Sequence, residues 1–101
     1  MLVLKLMPDY ECEFPLWARD RVVGQVRFNA DQAASLGLPS NLIDQLSNWQ
    51  AQFEDGFHHR RGWTSDDDRL SWTRTSERLI AQLRRHLPED VALEIDLWPI
   101  E

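Results

Sequence analysis

Cysteine, lysine and glycine are scarce in this chain of 101 residues. A single cysteine, Cys12, rules out an intrachain disulfide and leaves no thiolate set for zinc. Lys5 is the only lysine, so the basic charge is carried by arginine. Four glycines and five prolines are too few for a low-complexity or disordered chain. The glycines Gly24, Gly37, Gly56 and Gly62 stand alone, so there is no phosphate loop and no dinucleotide fingerprint. Long apolar runs are missing too. Met1 to Met7 is broken by Lys5 and followed at once by Pro8 and Asp9, too short for a signal segment or a membrane span. The chain is therefore expected to be cytosolic, with no membrane partner. Lys and Arg total 11 against 17 Asp and Glu, a formal charge of −6. A general nucleic-acid binder needs a net basic footprint, so direct nucleic-acid binding is not expected. The acidic balance suits a soluble protein, or one that meets a basic partner.

What is present is ordinary globular material: 43% hydrophobic and 28% charged residues, enough for one core. Leu2, Leu4 and Leu6 alternate with Val3, Lys5 and Met7 and predict a strand ended by Pro8. Residues 8 to 20 have no helical period and hold two prolines, which predicts a loop or irregular crossover. Val22, Val23, Val26 and Phe28 predict a second strand, and Asn29 to Gly37 a short helical turn. Leu42, Leu46, Trp49 and Phe53 form one apolar stripe of a helix, with Ser40 as its cap and Gly56 as a left-handed stop. A second helix begins at a Ser65 cap with Asp66, Asp67 and Asp68 on its positive end. Its buried face is Trp72, Ser76, Leu79, Ile80, Leu83 and Leu87, and Pro88 stops it. Val91, Leu93, Ile95 and Leu97 then alternate as a half-buried strand. The expectation is an α+β fold: a single two-layer domain over residues 1–101. A small three-stranded mixed sheet, in chain order β-β-α-α-β, carries two long helices on one face.

Few constellations point to chemistry. His58 and His59 lie near Glu54, Asp55 and the Asp66–Asp68 run, but the spacing fits no zinc pattern and Arg60 and Arg61 repel a cation. Adjacent histidines are also expected to diverge. Cys12 sits between Glu11 and Glu13, which disfavour its thiolate, so it reads as an idle, part-buried thiol. Three consecutive helical aspartates fan out by roughly 100° each and cannot converge on one ion. No Ser/His/Asp order has a nucleophile-elbow context. No catalytic residue, metal or cofactor is expected. Among the five tryptophans, Trp49 and Trp72 fall on apolar helix faces, whereas Trp17 and Trp63 fall in loops and Trp98 on the polar parity of the last strand. Exposed aromatic residues among acids are the material of a protein-recognition surface.

Two stretches carry a family resemblance. Asp9-Tyr10-Glu11-Cys12-Glu13-Phe14-Pro15-Leu16-Trp17 resembles a D-Y-x-C … P-L-W opening. Leu38-Pro39-Ser40-Asn41-Leu42, followed by Leu46, Trp49 and Phe53, resembles an L-P-x-S-x-x-L … L-x-x-W helix, except that the serine here follows Pro39 directly. Both are similar to elements of small bacterial immunity proteins carried beside polymorphic or contact-dependent growth inhibition (CDI) toxins. The resemblance implies a non-enzymatic cytosolic protein that binds the C-terminal domain of one cognate toxin, one-to-one, and neutralises it. Many such toxins are small basic nucleases, and an acidic inhibitor complements a basic cleft.

The candidate contact residues are the loop acids and loop aromatics Asp9, Tyr10, Glu11, Glu13, Trp17, Glu54, Asp55, Trp63, Asp66, Asp67 and Asp68. A regulatory or adaptor subunit of another cytosolic complex would use the same surface. A small hydrolase or metal-dependent enzyme using His58, His59 and nearby acids is the third class.

Overall fold

A computed structural model describes residues 2–98. Met1 of the first apolar run lies outside them. The elements in chain order are β1 (Leu2–Leu6), β2 (Leu16–Asp20), β3 (Gly24–Phe28), α1 (Ala30–Ser35), α2 (Ser40–Gly56), β4 (Phe57–His58), β5 (Gly62–Trp63), α3 (Asp66–His86) and β6 (Val91–Ile95). One sheet has the order β3-β2-β1-β6, and β4 and β5 form a separate two-stranded hairpin. β1 and β6 run parallel from Leu2↔Val91 to Leu6↔Ile95, whereas β1–β2 and β2–β3 are antiparallel.

The fold is α+β, but its sheet has four strands rather than the three that alternation predicts, and the chain order differs accordingly. The added strand is β2, inside the stretch read as irregular. Leu16 and Trp17 are both buried, so neighbouring residues are covered on opposite faces and the period-two pattern is erased. Pro15 lies just before the strand, where its missing N–H removes no ladder bond, and its carbonyl accepts from the Met7 amide at 3.0 Å. Val22 and Val23 belong to the turn between β2 and β3, not to a strand. There the Asp20 carboxylate accepts from both their amides, at 2.8 and 3.0 Å. Leu97 falls beyond the end of β6.

Leu6, Leu16 and Phe28 share one row of the sheet register and, with Leu4, point to one face. They join Leu42, Leu46, Trp49 and Phe53 of α2 and Trp72, Leu79 and Leu83 of α3 in the main core. The predicted stripes of both helices are therefore the buried ones. The opposite sheet face has a small core of its own: Met7, Cys12 and Trp17, packed by Trp98.

Helix ends follow side-chain chemistry in two cases and not in a third. Asn29 caps α1 in a reciprocal capping box with Gln32. Ser65 caps α3, its hydroxyl accepting from the Asp68 amide at 3.0 Å. Ser40 does not cap α2: it is already helical, Pro39 holds the cap position, and no side chain bonds there. Gly56 is not a left-handed stop either. Gly24, Gly37 and Gly62 have positive φ, while Gly56 ends α2 and passes to an extended Phe57. Its reason is steric, because a Cβ there would lie 3.2 Å from Cζ3 of the Trp63 ring.

Candidate functional site

The loop between β1 and β2 is fastened to α2. Gln50 is 1% exposed, and its amide nitrogen donates to the Asp9 carbonyl while its Oε1 accepts from the Asp9 amide at 3.4 Å. One turn further along, Glu54 Oε1 accepts from the Cys12 amide at 3.3 Å. From the other side, Arg27 Nη2 donates to the Glu11 carbonyl at 3.3 Å. Glu11 has φ of 54°, a left-handed conformation that costs a non-glycine residue about 1–2 kcal/mol. These ties turn Asp9, Tyr10, Glu11 and Glu13 into a fixed, largely exposed strip.

Tyr10 is 37% exposed, and its ring lies 5.3 Å from Phe53 and 6.0 Å from both His59 and Trp98. Burial, with the Asp9 charge beside it, pushes the phenol up from its ordinary value. Phe53 is the hub beneath it. Its ring also meets Phe57 at 5.5 Å, Trp63 at 6.5 Å, Trp72 at 6.2 Å and Trp98 at 5.5 Å. Trp98 is pinned by its indole N–H to the Pro8 carbonyl at 2.7 Å.

At the far end of α2, Glu54 and Asp55 are exposed in the last turn, which holds no basic residue. A helix C-terminus carries partial negative charge, so each acid there is unfavourable by about 0.3–1 kcal/mol. The acids are placed against the helix's own electrostatics. A hollow of about 390 Å³ opens beside them, lined by Glu54, Asp55, Phe57, His58, Arg61 and Trp63, among others. The Gly56 carbonyl accepts from the Thr64 amide at 2.8 Å, and Thr64 Oγ1 donates to Asp68 Oδ2 at 2.6 Å. Asp68 and Asp55 line a second, smaller hollow with Gln52 and Gly56. The start of α3 thus closes onto the end of α2, with Asp66 and Asp67 exposed in the same first turn.

The structure therefore gathers most of the predicted acids and two of the predicted aromatics at one end of the domain. Trp17 is the exception. It lies in β2, not a loop, and is buried at 9% exposure with its indole N–H on the Met7 carbonyl at 3.1 Å. Trp63 lies in β5 and is half-buried, and its indole nitrogen has no hydrogen-bond partner among the described residues. Gln50, Phe53, His59 and Trp98 are parts of the site that the candidate set omits. Gln50 had a signal: it is four residues after Leu46 and three before Phe53, a polar residue inside the apolar stripe of α2.

The two histidines do not diverge. Their rings stack at 4.8 Å, 20° from parallel. Among the described residues no group of three or more His, Cys, Asp or Glu is arranged to hold a metal. Cys12 is buried, its thiol donates to the Phe14 carbonyl at 2.8 Å, and burial pushes its pKa up.

The domain is small and α+β, and it presents acids around a cluster of aromatic rings. The family model for Serratia CdiI immunity protein-like sequences matches residues 3–95, and the chain belongs to that family. Membership implies that it binds a cognate toxin and neutralises it. No curated protein matches the chain.

Proposed function

We propose that this immunity protein binds the basic C-terminal domain of its cognate toxin one-to-one in the cytosol. It covers the active site, or the surface that holds the substrate, with its acidic and aromatic end. The observation that carries this reading is the position of Glu54 and Asp55, in the helix turn where acids are least favourable and beside an aromatic-lined hollow. Arginine or lysine side chains from a toxin pair with Asp55 and Asp68 at the smaller hollow, whose lining holds no basic residue. Asp9, Glu11, Glu13, Asp66, Asp67 and Asp68 extend the negative field around that point and steer encounter, while Tyr10 and Trp63 provide apolar contact. A toxin that cuts nucleic acid must hold phosphates with basic groups, so an acidic cover competes for those groups; a nuclease, acting on RNA, is the toxin class this surface fits. Trp17 has no part in the contact, being buried on the other sheet face.

The test is calorimetric titration into the purified C-terminal toxin domain encoded immediately upstream. A tight one-to-one complex with loss of toxicity is expected. Asp66→Lys combined with Asp67→Lys should slow association and flatten its salt dependence. Absence of binding at about micromolar concentration, weaker than about −8 kcal/mol, would exclude this role for that pair.

A further inference from the structure

β3 is the outermost strand of the sheet, with β2 on one side and, among the described residues, no strand on the other. It contains neither lysine nor proline, two common guards of an open edge. Three of the exposed large apolar residues sit on this one hairpin: Val22 at 92%, Val23 at 66% and Val26 at 41%. We propose that β3 is the contact edge between two copies of this chain, paired antiparallel about a two-fold axis at Val26.

The register comes from the strand's own residues. With Val26 facing Val26 of the second copy, Gly24 faces Phe28 and Gln25 faces Arg27, so no two like charges lie opposite one another. Arg27 is also drawn toward its own loop by its bond to the Glu11 carbonyl, away from the axis. Continued beyond the strand, the same register leads Arg21 of the hairpin tip toward Asp31 of the second copy, in the first turn of α1. Both are exposed. Neither belongs to the ion pairs among the described residues, Lys5–Asp96 and Arg19–Glu94, so each brings free charge of opposite sign to the contact. Val22 and Val23 travel with Arg21 toward Ala30 and Ala34 of that helix. The antiparallel pairing is isologous and closes at two copies. A five-residue strand and a turn form a small contact, so the association is weak.

Sedimentation equilibrium of the full chain alone, from about 10 to about 500 μM, should show the mass rising from 11.9 kDa toward twice that value. Val26→Lys should weaken the association by about tenfold or more, with its circular dichroism spectrum unchanged. Val26→Cys should cross-link under air, since Cα atoms facing across an axis are about 4.5–5.5 Å apart, within disulfide range. Gln25→Cys should not, because its two copies sit on the diagonal, beyond about 7 Å. Any one of four results overturns the proposal: a monomer throughout, association indifferent to Val26→Lys, cross-linking of Gln25→Cys as readily as Val26→Cys, or mass growing past the dimer. The last would instead mean head-to-tail pairing of β3 with β6. No toxin is present, so these outcomes are independent of the proposed function.

Discussion

Trp49 and Trp72 hold each other by a reciprocal pair of hydrogen bonds. The indole N–H of each donates to the backbone carbonyl of the other at 3.2 Å, and the rings stack at 4.4 Å, 12° from parallel. Both side chains are fully buried. The pair sets the spacing of α2 and α3 through polar geometry as well as apolar area, and so fixes the floor of the aromatic network above it.

Replacing either tryptophan by phenylalanine keeps a ring but removes one donor and some volume. A loss of about 1–3 kcal/mol in unfolding free energy is expected for each. Urea denaturation of the two single variants and the double variant should give a coupling energy of at least about 0.5 kcal/mol. Strict additivity would mean that the two bonds do not act as a unit.

Gly56→Ala tests whether the glycine serves the helix or the ring. Alanine favours a helix by about 1 kcal/mol over glycine. Here the new methyl meets Trp63 ring atoms at 3.2 and 3.3 Å, and overpacking typically costs about 1–3 kcal/mol. The Trp63 ring packs against Phe57, Phe53 and Trp72, so moving it off the methyl disturbs those contacts. Net destabilisation is expected, read from the denaturation midpoint together with a change in tryptophan fluorescence. A stabilised variant would show that the hairpin gives way freely.

Asp55→Lys should move stability and binding in opposite directions. Removing an acid from the negative end of α2 and placing a cation there should raise stability by about 0.3–1 kcal/mol. Toxin affinity, measured by calorimetry, should fall. Loss of both together would mean that Asp55 supports the fold and is not held there for the partner.

Gln50→Ala removes both bonds to the Asp9 backbone. A loss of about 1–3 kcal/mol is expected, with faster hydrogen exchange at the Asp9 amide. Toxin association should weaken even though Gln50 is buried, because the strip from Asp9 to Glu13 loses its anchor.

Cys12 gives a pH signature. Burial pushes its thiol up, the charges of Asp9 and Glu54 act in the same direction, and the Phe14 backbone and Arg27 act against them. The folded state therefore keeps its proton where the unfolded state has lost it. That contribution is fully present below the ordinary thiol pKa, about 8.5, and stability declines as pH rises through it toward the folded value. Cys12→Ala should flatten the alkaline decline in the denaturation midpoint. A native thiol that reacts with a disulfide reagent as fast as the denatured one would contradict its burial.

Local regularity was legible along most of the chain. Leu42, Leu46, Trp49 and Phe53 repeat with the helical period and are all buried, as are Trp72, Leu79 and Leu83 of α3. β1 and β6 follow from alternation, and the Ser65 cap from its residue type. β2 was hidden because Leu16 and Trp17 are covered from opposite sides, by two cores that local pattern cannot foresee. Ser40 and Gly56 each have the right residue type for an end signal, yet Pro39 displaced the first and Trp63 set the role of the second. Residue type alone picks out the loop acids, Tyr10 and Trp63, whereas Phe53, His59 and Trp98 join them only through the fold and Trp17 is buried elsewhere.

The sequence by itself determined the two long helices and their apolar faces, the strands β1 and β6, the acidic charge and the family motif. Those properties depend on neighbours within one or two turns and on residue type. Only the tertiary structure decided which tryptophans are covered and which acids share a surface. The bonds that make that surface join Asp9 to Gln50 across 41 residues, Cys12 to Glu54 across 42 and Trp98 to Pro8 across 90. Contacts at such separations arise only when the elements dock, and no local period encodes them.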